Sequence, residues 1–105
     1  MVLWGHSYGA SVVQQVLRSR PDFSGRAILV SSLSMPADTA RIRTLAQVIA
    51  FHARHDVLRS PEAAFAELRT VYGDALRDFE IIVDEGHSFR GALAWARVYR
   101  AALSD

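Results

Sequence analysis

The chain predicts an α/β fold on a mostly parallel sheet, and three observations support that class. Roughly four apolar segments of strand length alternate with segments whose apolar residues recur at helical spacing, an order that gives parallel pairing through right-handed crossovers. The runs at Arg26 to Ser32, Gln47 to Phe51 and Phe79 to Val83 are nearly continuous in apolar residues, as strands covered on both faces must be. At 105 residues and 50% hydrophobic content, with no repeat, low-complexity tract or linker, residues 1–105 read as a single domain with one core. A domain of this size buries only about two-thirds of its unfolded surface, which leaves little stability margin.

Taken in order, the first element is the short apolar stub Val2, Leu3, Trp4, followed by a helix over Ala10 to Arg18. Val13, Val16 and Leu17 share one face of that helix, and Pro21 stops it. Ala27, Ile28, Leu29 and Val30 make the second strand, and Gln47 to Phe51 the third. Ser60-Pro61-Glu62 is a strong helix start, with Ser as N-cap, Pro in the first turn and an acid near the positive end of the dipole. Phe65, Leu68, Val71 and Tyr72 mark the inner face of that helix and Gly73 ends it. After the strand at Phe79 to Val83, a last helix is implied by Phe89, Leu93, Ala96, Tyr99 and Leu103, with Trp95 and Val98 widening the stripe. The aromatic residues on these faces are expected in the core rather than against a ligand.

Composition removes several classes of function. A net charge of +1 with both signs interspersed offers no basic stripe for nucleic acid. Without cysteine the chain has neither a disulfide framework nor a thiol nucleophile, a composition at home in the cytosol. The apolar N-terminus is too short for a signal peptide, and no stretch approaches the roughly 20 residues of a membrane span. The expectation is a cytoplasmic protein with no nucleic-acid or membrane partner.

Chemistry enters at Gly5-His6-Ser7-Tyr8-Gly9, a G-x-S-x-G pattern set between the apolar stub and the first helix. A serine at such a strand-to-helix turn is held strained and exposed; the flanking glycines are expected to remove side chains that would collide as the chain reverses. The following helix aims free N–H groups at charge developing beside Ser7. Such a serine needs a base and an orienting acid. Asp56, in His52-Ala53-Arg54-His55-Asp56-Val57-Leu58, and His87, in Asp84-Glu85-Gly86-His87-Ser88-Phe89, each lie just past a strand. The order Ser, Asp, His is the one used by enzymes with this elbow.

With GHSYG as elbow, HARHDVL as acid loop and DEGHSF as histidine loop, nearly the whole chain resembles the C-terminal half of an α/β-hydrolase-fold serine hydrolase. The resemblance implies a partial version of that fold, in which the strands are counterparts of strands five to eight and Met1 to Trp4 stands for strand five. It implies a catalytic triad of Ser7, Asp56 and His87, with the backbone N–H of Tyr8 as an oxyanion donor. The reaction implied is hydrolysis of an ester, thioester or amide in a small-molecule acyl substrate through an acyl-enzyme, of carboxylesterase or thioesterase type. Serine at the elbow disfavours the relatives that alkylate a carboxylate. No cofactor is expected.

The N-terminal half of the family's fold, with the loop that supplies a second oxyanion donor, has no counterpart here. Loss of one donor costs about 100- to 1,000-fold in rate, so these 105 residues alone are expected to be weakly active or inactive. The alternative is a non-catalytic module that acts through association. In either case Met1 to Trp4 would be an unpaired apolar edge, open to a homodimer or to a separate N-terminal half.

Several residues compete for roles. Asp38, after the second strand, is another position from which relatives supply the acid, and Asp56 could instead cap a turn before Ser60. Asp84 and Glu85 lie too close to His87 in sequence to reach back, and are expected to line the loop or face water. His87 could be a structural histidine. His6, His52 and His55 carry no assigned role, and no cysteine or carboxylate in ligand register supports a metal at His52 and His55. The stretch from Ser31 to Thr44 is too short for a cap domain, which implies a small or open pocket with Leu33 and Met35 on its wall.

Overall fold

The apolar runs around 26–30 and 47–53 become the interior of a sheet covered on both sides, whereas the run Phe79 to Val83, expected to be covered likewise, lies at its margin with Ile81 and Val83 exposed. A computed structural model describes residues 1–33 and 41–103. Its elements are β1 (Val2–His6), α1 (Tyr8–Ser19), β2 (Arg26–Val30), β3 (Gln47–Ala53), α2 (Pro61–Tyr72), a 3-10 turn at Gly73–Ala75, β4 (Leu76–Ile82) and α3 (Ala92–Leu103). The four strands form one parallel sheet in the order β1-β2-β3-β4, the expected α/β architecture.

Strand alternation divides the core into two layers. Ala27 and Leu29 of β2, with Val48 and Ala50 of β3, are buried with Ala10, Val13 and Leu17 of α1 and Leu68, Val71 and Tyr72 of α2. Ile28 and Val30, with Phe51 and Ala53, face the other way and are buried with Phe89 and with Ala94 and Val98 of α3. Inside the first layer the Tyr72 hydroxyl donates to Gln14 Oε1 at 3.0 Å. Burial pushes that phenol far above its ordinary range.

Helix α2 starts and stops as its sequence dictates: Ser60 Oγ accepts from Ala63 N at 3.1 Å, Pro61 opens the first turn, and Gly73 ends the helix at φ 57°. Two other elements differ from expectation. β4 begins at Leu76 rather than Phe79, because it is an edge strand whose first turn of sequence, Arg77 and Asp78, is exposed and polar. On α3 part of the expected stripe faces outward: Leu93 and Leu103 are 85% and 83% exposed, and Ala96 and Tyr99 are exposed with them. Val98 and Trp95, expected to widen the stripe, do face inward, with Ala94 buried and Ala101 and Ala102 packed beside them; the small alanine side chains let the helix sit close to the sheet. Phe89 precedes the helix at φ 54° and is buried under it. Phe65 and Val16 also lie at the margin of their helices' inner faces rather than in the core.

β1 is bordered by β2 on one side and by no strand on the other among the described residues. No helix among those residues is long and apolar enough to cross a membrane.

Candidate active site

The turn between β1 and α1 is tight enough to dictate its residues. A Cβ on Gly5 would stand 2.1 Å from the carbonyl oxygen of Gly9 and 2.7 Å from the nitrogen of Ala10, so only glycine fits. Gly9 is different: a Cβ there meets nothing within 4 Å. The expected steric reason therefore holds for the first glycine of the motif and not for the second. Between them Ser7 adopts φ 59° and ψ −116°, a conformation that costs a non-glycine residue about 1–3 kcal/mol. Two backbone bonds hold it there, Ser7 N to Val30 O at 2.8 Å and Ala10 N to Ser7 O at 3.0 Å. Ser7 gives α1 no side-chain cap, which leaves the N–H of Tyr8 at the open start of the helix.

Ser7, His87 and Asp56 meet in one hydrogen-bonded chain. Ser7 Oγ lies 2.7 Å from His87 Nε2, and His87 Nδ1 lies 2.7 Å from Asp56 Oδ2. A carboxylate only accepts, so Nδ1 carries the proton and the Nε2 lone pair faces the serine hydroxyl. The Asp56 carboxylate is fully buried, while its Oδ1 accepts from Leu58 N at 2.9 Å and Arg59 N at 3.1 Å. Burial alone would raise its pKa, but the bonds from His87 and from these two N–H groups outweigh that and hold the carboxyl below its usual range. A hydroxyl, an imidazole and an ionised carboxylate aligned in this order form an arrangement capable of nucleophilic attack on a carbonyl.

The two loops that carry His87 and Asp56 are joined beyond the ends of β3 and β4. Arg54 N donates to Ile82 O at 2.9 Å and His55 N to Glu85 O at 3.0 Å. Glu85 lines its loop, as one expectation had it, and its carboxylate takes the N–H groups of Arg90 and Gly91 at 2.7 and 2.8 Å. Asp84 is exposed.

Two histidines left without a role in the sequence lie against this chain. His6 Nε2 donates to the carbonyl of His87 at 2.9 Å, and its ring packs edge-on against Trp95 at 5.5 Å. His52 is buried at the end of β3, with Nε2 2.7 Å from Arg59 O and 3.3 Å from Asp56 Oδ2. Burial pushes its imidazole below the ordinary range, despite the opposing pull of the Arg59 carbonyl and the Asp56 charge. A sequence signal existed for His52: a polar ring inside an apolar strand run must find a partner. His55 is exposed. Leu33, just past β2, is half-buried, whereas Met35 and Asp38 lie outside the described residues. Among the described residues no group of three or more His, Asp or Glu side chains could hold a metal ion.

The same architecture occurs in a solved structure. The fold is shared with an esterase domain. That neighbour is the crystal structure of the esterase domain from a Rhodothermus marinus protein, which aligns over 96% of this chain with a TM-score of 0.69 and 16% identity. The chain spans 57% of that domain. No family model and no curated protein matches the sequence.

Proposed function

We propose that the chain carries a serine hydrolase site that cleaves an ester, thioester or amide bond through an acyl-enzyme. The observation that carries this reading is the unbroken chain from Ser7 Oγ through His87 to the buried Asp56, anchored on a strained elbow. The fold shared with an esterase domain supports it. Ser7 Oγ attacks the carbonyl carbon as its proton passes to His87 Nε2; the C–O π pair moves to the oxygen, which faces the Tyr8 N–H. Asp56 stabilises the imidazolium, and the same proton leaves with the alcohol, thiol or amine as the tetrahedral adduct collapses. Water then repeats the sequence on the acyl-enzyme and releases the acid. Leu33 and Met35 would border the acyl group, and the reaction is placed in the cytoplasm.

A second reading, association of the chain as a non-catalytic module, is favoured by the open edge of β1. Among the described residues no strand pairs with that edge, and Trp4 of β1 and Tyr8 and Val12 of α1 are exposed. The partner would be a second copy or the N-terminal half of the fold.

Intact-mass spectrometry during incubation with a short-chain aryl ester tests the first reading even where turnover is slow. One acyl group on Ser7, absent from Ser7→Ala, is expected. An unmodified chain that forms dimers or larger species by light scattering would favour the second.

A further inference from the structure

The geometry points to His52 as a positioning residue for the acid: its ring clamps the turn 56–59 to β3 and shares Asp56 Oδ2 with His87. This inference rests on the triad reading above. Arg59 O can only accept, so His52 Nε2 must carry a proton to make its 2.7 Å contact there. The same Nε2 also stands 3.3 Å from Asp56 Oδ2, the oxygen that His87 Nδ1 approaches to 2.7 Å. Meanwhile Asp56 Oδ1 takes the N–H of Arg59. Both polar backbone groups of Arg59 are thus held, the N–H by the acid and the carbonyl by His52.

His52 can act as an anchor because it belongs to β3, an interior strand paired on both sides. Its ring is 1% exposed and stacks on Phe79 at 6.3 Å with 16° between planes. The charged and titratable groups that bear on it are Asp56, Arg59 and His87, with Glu62 at longer reach. As a neutral ring it braces Asp56 without offering a second positive charge, which leaves the carboxylate's charge directed at His87. Removal of the Nε2–H frees the turn, and the Asp56 to His87 bond loses its fixed length.

His52→Gln keeps an N–H near the Nε2 position, whereas His52→Asn places its amide a bond short, where Nδ1 stands. Two readouts separate positioning from mere stability: the pH midpoint of fluorophosphonate labelling at Ser7, and the far-downfield proton resonance of the His87 Nδ1–H bonded to Asp56. Outer-shell partners of functional histidines typically account for about 10- to 100-fold in activity. His52→Asn should slow labelling by about that much, lower its pH midpoint and remove the downfield resonance, while His52→Gln retains all three. Wild-type behaviour in His52→Asn would overturn the inference. Should His52→Asn fail to fold, His52→Gln against wild type decides it, since a shifted midpoint or lost resonance there also overturns it. If Ser7 in the wild type is never labelled, the hydrolase reading fails while the resonance still tests His52: lost in Asn and kept in Gln supports the clamp, and unchanged in both refutes it.

Discussion

The proposed nucleophile and the proposed acid stand on opposite kinds of ground. Ser7 sits after β1, an edge strand, on a backbone at φ 59°, with Trp4 and Tyr8 exposed on either side. Asp56 sits after β3, an interior strand, with its carboxylate fully buried, one oxygen taken by the N–H groups of Leu58 and Arg59 and the other by His87, with His52 Nε2 3.3 Å away. The elbow is thus defined by what cannot be placed there and the acid loop by what bonds there. The difference teaches that replacing the Ser7 hydroxyl should alter chemistry with little effect on stability, whereas a side chain added at Gly5 should act through stability and changes at the acid loop should alter both.

The largest effect is expected at the acid. Asp56→Asn keeps an oxygen for the two backbone N–H groups but turns an amide toward His87 Nδ1 and favours the wrong tautomer. Loss of the tautomer should slow reaction at Ser7 by about 10⁴-fold, while the circular dichroism spectrum remains that of the wild type. Next in size is Gly5→Ala, in which the new Cβ meets the Gly9 carbonyl at 2.1 Å. Because two backbone segments must part, a loss of about 3 kcal/mol or more is expected in urea denaturation. A mild Gly5→Ala would break the contrast, since the elbow would then be no tighter than an ordinary turn.

Acid should expose the other side of the comparison. The Asp56 carboxyl is held below its ordinary pKa, so its stabilising contribution is present above the unfolded value of about 4 and is lost as the pH falls through the lower folded value. Wild type should therefore lose more stability than Asp56→Asn between neutral pH and about pH 3, read from denaturation midpoints. Parallel pH profiles would show that the buried carboxylate is not held as described. The smallest effect belongs to Gly9→Ala: in α1, with nothing within 4 Å of the new methyl, it should stabilise by about 0.5–1 kcal/mol.

Much of this arrangement was legible because geometry leaves few choices. Strands buried on both faces must be apolar throughout, so β2 and β3 stood out, and Ser60-Pro61 fixed the start of α2 within a residue. Ser7, Asp56 and His87 were legible as residues placed just past strand ends, and the structure brings them together. What periodicity cannot tell is which of two apolar faces a helix turns inward. On α3 Leu93, Tyr99 and Leu103 of the expected stripe point out, while Trp95 and Val98 from its other margin turn inward beside Ala94. The start of β4 was hidden because an edge strand tolerates Arg77 and Asp78. The part played by His52 depends on a carbonyl seven residues away, a contact that only the folded loop creates.

The central claim, that Ser7 is an activated nucleophile driven by His87 and Asp56, is tested most directly by fluorophosphonate labelling followed by peptide mapping. The account predicts modification at Ser7 alone, none in Ser7→Ala, and a rate lowered by orders of magnitude in Asp56→Asn. Label on another residue, label that persists in a folded Ser7→Ala, or an undiminished rate in Asp56→Asn would contradict it.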